Sequence, residues 1–168
     1  EETQKVDLRH FEQIQVYHTG QFMMLDKFAW RNLEIVETLR DKRKRGSLLW
    51  VLDQTATSMG GRRLRQWLER PLLDTQAIEH RLETVDLFVN DLILRSEVRD
   101  LLKSVYDLER LSSKLVFGTI NARDLLALKA SLAILPDLKA ILSSGDARLL
   151  NQLRGEIDPL EDVYNLIE

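Results

Sequence analysis

The sequence contains no cysteine, and only three prolines and seven glycines. The absence of cysteine excludes disulfide bonds, thiolate chemistry, cysteine-ligated zinc and iron–sulfur clusters. No hydrophobic run approaches the roughly 18 residues that a membrane-spanning helix requires, so we expect no membrane association. The scarcity of glycine and proline, beside 32 leucines among 168 residues, favours helices over an architecture of strands and turns.

Charge is present in quantity but unevenly distributed. The formal net charge is −3, which argues against a free-standing binder of polyanions. Residues 40–70 nevertheless hold nine basic and only three acidic side chains, and residues 40–45 read RDKRKR. This basic loop is interpreted either as a contact to a phosphate backbone or an acidic partner, or as a solvated connector between two elements.

The apolar pattern predicts a mainly α fold, a multi-helix core domain. Apolar residues recur at helical spacing along most of the chain after Gly46. Residues that commonly cap helices precede these segments. The predicted caps are Asp26, Ser47, Ser58, Asp74 and the pair Asn121 and Asp124. The predicted stripes are Ile78, Leu82, Val85 and Val89; Leu94, Val98, Leu101 and Val105; Leu108, Leu111 and Leu115; and Leu125, Leu128, Leu132 and Leu135. Pro136 is expected to restart a helix.

A small β element is predicted near the N-terminus. The apolar runs 14–17 and 21–25 flank a turn that contains Gly20, which suggests a hairpin-like pair. Residues 35–39 are rich in β-branched side chains and could add a third strand. No internal repeat or long linker divides the chain, so we predict a single domain.

No constellation predicts an active site. His10, His18 and His80 lack the spacing of a helical metal pair. The acidic pairs Asp107/Glu109 and Glu161/Asp162 lie among basic residues and are interpreted as surface ion pairs.

The glycine doublet and the arginines beside it also read as structural. Gly60 and Gly61 belong to no phosphate-binding motif and are expected to permit close packing. Of Arg62, Arg63 and Arg65, we expect at least one to pair internally, because three residues so spaced cannot share one helix face. Catalytic, cofactor-binding and metal-binding residues are all predicted to be absent.

Residues 49–72, LWVLDQTATSMGGRRLRQWLERPL, resemble the MutS family of DNA mismatch-repair proteins, of the bacterial type. The shared pattern is Val-Leu-Asp-x-Thr-x-Thr-x-Met-Gly-x-Arg-x-Leu, followed by Trp-Leu and then Pro-Leu. Shorter similarities occur in order at residues 24–26 and 31–35 upstream, and at residues 107–110 and 122–125 downstream. The resemblance thus covers essentially the whole chain.

The resemblance implies a fragment that corresponds to the family's core domain. Residues 1–12 would end a connector-to-core helix, residues 13–46 would form the small β element and loop, and residues 47–168 the helical core, which ends at the start of a lever helix. The full-length parent would be a cytoplasmic homodimer that binds mismatched double-stranded DNA and uses ATP and Mg²⁺. The fragment would need no cofactor and would bind DNA weakly or not at all.

Two further expectations separate this reading from its alternative, a stand-alone helical protein-interaction module. A core domain should leave an exposed apolar stripe at residues 160–167, where other helices would pack. Within the family-like segment, Met59, Leu64, Trp67 and Leu68 fall near one helix face. Trp67 is therefore predicted to be a core residue rather than a base-stacking platform.

Overall fold

In the computed structural model, residue 20 and residues 22–167 are described. Over this part of the chain helices follow one another without a sheet, which confirms the mainly α prediction. They are α1 Lys27–Asn32, α2 Leu48–Leu52, α3 Ser58–Glu69, α4 Thr75–Asn90, α5 Leu92–Lys103, α6 Leu108–Val116, α7 Ala122–Leu132, α8 Leu135–Ile141, α9 Arg148–Glu156 and α10 Glu161–Leu166. A 3₁₀ turn, Leu142–Ser144, links α8 to the segment before α9.

Side-chain caps fix where the first seven helices begin. Asp26, Ser47 and Asp74 each accept a backbone N–H of the following turn, as predicted. Asn121 and Asp124 form the predicted capping box. The cap of α3 is Thr57 rather than the predicted Ser58, since the Thr57 hydroxyl accepts the Gly60 N–H at 2.9 Å.

The predicted β element is not observed as a sheet. Residues 14–17, the first arm of the hairpin, lie outside the described residues. Phe22 forms an isolated antiparallel bridge with Leu72 instead. The third strand predicted at residues 35–39 is wrong, because this segment bends: the Ile35 carbonyl accepts the N–H of Leu49 at 2.8 Å and so caps the start of α2.

The main apolar core lies between α4, α5, α8 and α9. Its buried side chains come from three of these elements and the turns between them: Leu94, Val98, Leu138, Leu142, Ala147 and Leu150. Gly145 lies where a Cβ atom would approach Leu150 Cδ2 to 2.6 Å and Leu94 Cδ2 to 3.1 Å. The chain therefore crosses this core at a point where a side chain does not fit.

A smaller cluster joins α6, α7 and α10. Leu111, Leu128 and Leu132 are buried in it, and Val163 and Ile167 pack against them. Beside the cluster the fully buried Ser131 hydroxyl accepts the Tyr106 N–H at 3.0 Å and donates to the Ala127 carbonyl at 2.9 Å. The stripe predicted on α7 thus faces inward.

The apolar stripe predicted on α4 has the opposite orientation. Ile78, Leu82, Val85 and Val89 do share one face, but each is between 37% and 60% exposed. The inward face of α4 carries Thr84, Leu87 and Phe88 instead. The periodicity correctly predicted that these residues share one face. The prediction that this face meets the core was wrong.

None of the described helices combines the length and apolarity needed to cross a membrane.

Candidate functional site

The family-like segment folds into a turn and a helix that begin in close contact. A Cβ atom on Gly60 would meet Thr57 Oγ1 at 3.1 Å and Thr55 Cβ at 3.4 Å. The close approach predicted for Gly60 is confirmed, and its neighbour is the turn that precedes α3. In that turn Asp53 accepts the Thr55 hydroxyl at 2.7 Å and pairs with Lys44, and these bonds hold the Asp53 pKa below its usual value.

One arginine of α3 reaches across to α6. The Arg62 guanidinium donates to both Asp107 oxygens, at 2.7 Å and 2.9 Å, and to Glu109 Oε2 at 2.6 Å and 2.9 Å. This confirms that an arginine of the cluster pairs internally and that Asp107 and Glu109 serve ion pairing. The other acidic pair, Glu161 and Asp162, forms no ion pair within the described residues. Such a bidentate arrangement fixes geometry as well as charge.

The Asp107 carboxylate accepts hydrogen bonds from three residues. Besides Arg62 it accepts the Ser58 hydroxyl at 3.0 Å, and it caps α6 by accepting the Arg110 N–H at 3.2 Å. The Arg62 hydrogen bonds hold the pKa of Asp107 well below its ordinary value, partly against the effect of burial. In turn Asp107 and Glu109 raise the pKa of Arg62. The carboxylate therefore stays ionised through the neutral range.

A second ion pair continues from α6 to α7. Lys114 Nζ lies 2.8 Å and 2.7 Å from the two Asp124 oxygens, and both side chains are partly buried. The lysine lowers the pKa of Asp124, which is also the capping-box residue of α7. We call the five residues Arg62, Asp107, Glu109, Lys114 and Asp124 the ion-pair chain. It runs across α3, α6 and α7, and four of its members lie in segments that resemble the family.

Trp67 is not a core residue, contrary to the prediction. Its side chain is 41% exposed, and no residue of α3 is buried. The Arg81 guanidinium of α4 covers one face of the indole, with Cζ 3.8 Å from the ring centroid. Burial and the neighbouring Arg63 lower the Arg81 pKa. Met59, Leu64 and Leu68 form the half-buried inner side of α3, and Trp67 lies beside that face.

The basic loop, residues 40–45, forms a turn in which Lys42 and Lys44 are paired with acidic residues. The Thr38 N–H bonds to the Arg43 carbonyl at 2.9 Å, and Lys42 pairs with Glu37 at 3.1 Å. The exposed side chains of Arg40, Arg43 and Arg45 form no ion pair within the described part of the chain. Both interpretations of this loop, a binding surface and a solvated connector, therefore stay open.

Of the three histidines considered for metal chemistry, His80 is the one that lies in the described part of the chain. His10 and His18 lie outside the described residues, and His80 is half-buried with Nε2 3.4 Å from Arg148 Nη1. Among described residues no group of three or more His, Cys, Asp or Glu side chains could hold a metal ion.

The exposed stripe expected at residues 160–167 is present in part. Leu160, Tyr164 and Leu166 are exposed, the last at 83%. Val163 and Ile167 instead pack against the small apolar cluster. α10 therefore lies on the molecule with one side and presents apolar groups to solvent with the other.

Comparison with known proteins gives a consistent result over the whole chain. The family model described as MutS domain III matches residues 29–168. A DNA mismatch repair protein MutS of Alkaliphilus oremlandii is 51% identical over 166 residues, which is 99% of this chain and 19% of that protein. Proteins of the same description from Bacillus cereus and Ruminiclostridium cellulolyticum are 50% and 49% identical, over 98% and 100% of this chain and 19% of each. The chain thus spans about a fifth of the length of these curated relatives.

Proposed function

Because this chain belongs to the MutS family through its domain III, we propose that it is the transmission core of a bacterial DNA mismatch-repair protein. The observation that carries the proposal is the near 50% identity along essentially all of the chain. In this role the domain has no catalytic site or cofactor of its own. It relays between a DNA-binding part and an ATPase that both lie elsewhere in the parent.

A relay requires helices that move as units and contacts that can switch between discrete arrangements. The ion-pair chain supports this role. Arg62 links α3 to α6 through charged groups, and Lys114 adds a charged contact to the apolar packing between α6 and α7. Such contacts are directional, and they can re-form with other partners after a small displacement.

The description of the relatives as DNA mismatch repair proteins supports a wider proposal. We propose that the parent is a cytoplasmic homodimer that binds mismatched double-stranded DNA and uses ATP with Mg²⁺ outside this domain. The isolated chain should bind DNA weakly, without preference for a mismatch, and with steep salt dependence, because only residues 40–70 carry a basic excess. Electrophoretic titration of matched and mismatched duplexes tests this; a mismatch preference would contradict it.

A chimera tests the role directly. The matching 166-residue segment of the Alkaliphilus oremlandii protein is replaced by this chain, and the chimera is expressed in a strain that lacks its own mismatch-repair MutS. We expect the mutation rate to fall to that of the strain complemented with the unaltered protein. Introducing Arg62→Glu should abolish the rescue while the protein still accumulates. Arg123→Glu, at an exposed position on α7 that forms no ion pair within the described residues, should not.

The same chimera separates the proposal from the alternative, a stand-alone helical protein-interaction module. An independent module would fold but would not support mismatch repair within a MutS chain. A soluble, DNA-binding chimera that leaves the mutation rate high would therefore argue for the alternative.

A further inference from the structure

A pocket of about 320 Å³ lies between α1 and the bend that follows it. Its wall is apolar, formed by Trp30, Ile35, Val36 and Leu39. Ile35 is buried, Trp30 and Val36 are half-buried, and Leu39 is exposed at the mouth. The volume falls at the lower end of small-ligand pockets, which suits one or two large side chains.

The mouth of this pocket is positively charged. Lys27 and Arg31, one helical turn apart on α1, line it from one side, and Lys42 lines it from the other. Lys27 and Arg31 are exposed and form no ion pair within the described residues. Glu37, the acidic residue of the lining, is already bound to Lys42.

The basic loop extends the same charge beyond the mouth. Arg40 and Arg43 flank Lys42 in sequence, are exposed and lack ion pairs among the described residues. Asp41 in this loop and Glu34, which accepts the Leu39 N–H, carry the opposite charge. Residues 27–43 hold five basic and three acidic side chains in all. Positive charge therefore exceeds negative charge around an apolar recess.

We propose that this pocket binds an acidic peptide segment of a partner protein, with one or two phenylalanine or leucine side chains inserted against Trp30 and Leu39. Carboxylates on either side of that anchor pair with Lys27 and Arg31. Buried aromatic or aliphatic anchors carry most of the energy at such interfaces, and complementary charge sets specificity and encounter rate.

The apolar wall distinguishes a peptide from a DNA duplex. A duplex backbone offers phosphates to Lys27 and Arg31 but no apolar group that could fill the recess, so it would leave Trp30 and Leu39 uncovered. An acidic peptide with an apolar anchor satisfies both features. Because the rim charges are solvent-exposed, its binding should weaken as salt increases.

Fluorescence anisotropy with the 168-residue chain tests the proposal. The probe is a short fluorescein-labelled peptide of glutamates around two phenylalanines. One control peptide has serine in place of phenylalanine, another has glutamine in place of glutamate, and a labelled DNA duplex is titrated in parallel. We expect saturable binding of the probe alone, with an affinity that falls as salt is added.

Two variants locate the site. Arg31→Glu reverses a charge at the mouth of the pocket, and Leu39→Ser removes part of its apolar wall. Each variant should bind the probe about tenfold or more weakly, whereas Arg123→Glu should bind it with unchanged affinity. Circular dichroism checks that each variant is folded. Equal binding of the serine peptide, an unchanged affinity in both variants, or a duplex that binds and displaces the probe would each overturn the proposal.

Discussion

The N-terminal region, residues 22–73, and the C-terminal region, residues 74–167, are held together by different forces. Among described residues the buried hydrophobic side chains of the first are Ile35 and Leu49, whereas the second holds nine. The first region is fixed by capping bonds, by the Lys44–Asp53 pair and by Arg62. Yet it contains the segment with the most family-like sequence.

The difference shows that the family-like residues specify contacts between helices more than an interior. Apolar burial contributes stability that salt and pH barely change, while exposed ion pairs weaken with either. The C-terminal region should therefore behave as the constant part of the domain. The N-terminal region should respond more strongly to salt and pH, as the proposed relay role requires.

The largest expected effect comes from the C-terminal core. Leu94 is 2% exposed, so Leu94→Ala should lower the free energy of unfolding by roughly 2–5 kcal/mol, through lost burial and the cavity left behind. Leu166→Ala is the matched control, because that side chain is 83% exposed and should cost less than about 0.5 kcal/mol. Urea denaturation measures both, and equal losses would contradict the comparison.

Adding a methyl group to the same core should lower the free energy of unfolding by less than removing a leucine side chain from it. Gly145→Ala places a methyl group 2.6 Å from the present position of Leu150 Cδ2, so that neighbour must move within a closed interior. We expect a loss of about 1–3 kcal/mol by thermal denaturation. Gly155→Ala, where nothing lies within 4 Å of the added atom, is the control and should not destabilise the helix. A Gly145 variant as stable as its parent would show that the core has spare room.

Trp67→Ala should have a smaller effect than a buried aromatic would. The indole is 41% exposed, so truncation removes only part of the burial of a core aromatic, together with the stacking on Arg81. We expect about 1–2 kcal/mol rather than the ~3–5 kcal/mol typical of a core position. Arg81→Gln should reproduce much of this loss, and the double variant should add little to either one. Thermal denaturation measures these losses. A loss as large as that of Leu94→Ala would show that Trp67 contributes to stability as a core residue does.

The smallest effect should depend on pH. Arg62 lowers the folded-state pKa of Asp107, so this carboxylate contributes stability above the unfolded pKa of about 3.9 and loses it as the pH falls toward the folded value. Asp107→Asn keeps an N-cap acceptor but removes the charge. Because the pair is partly exposed, we expect a loss of about 1 kcal/mol or less near pH 7 that shrinks below pH 4.

Urea melts of parent and Asp107→Asn between pH 3 and 7 measure this difference. Leu166→Ala, which changes an exposed side chain without a titratable group, is the control and should show no such trend. If the difference in the free energy of unfolding between parent and Asp107→Asn grew at acid pH, the pKa of Asp107 in the folded state would be raised rather than lowered.

The features predictable from sequence were those with local causes. The caps at Asp26, Ser47 and Asp74 depend on a side chain and the next turn, and they were confirmed. The α4 stripe and Trp67 were misjudged because periodicity reveals which residues share a face, not which face meets the core. The third strand failed because the Ile35 carbonyl bonds to Leu49, a non-local partner.

The site was predictable only in kind. Charge inventory indicated that an arginine near Arg62 pairs internally and that Asp107 and Glu109 serve ion pairs. It could not match these residues, because 45 positions separate Arg62 from Asp107 and no local pattern encodes such a pairing. The similarity of both segments to one family was the available signal that they belong together.

The double role of Asp107 has a consequence for the order of folding. As the cap of α6 it acts within one turn, on the timescale of helix formation, whereas its bond to Arg62 must close a loop that contains α4 and α5. We therefore expect α6 to form early, with Asp107 as its cap, and α3 to dock against it later. Arg62→Met should then accelerate unfolding while leaving the refolding rate nearly unchanged, which stopped-flow measurements would show. A slower refolding rate in that variant would instead place the docking of α3 within the folding nucleus.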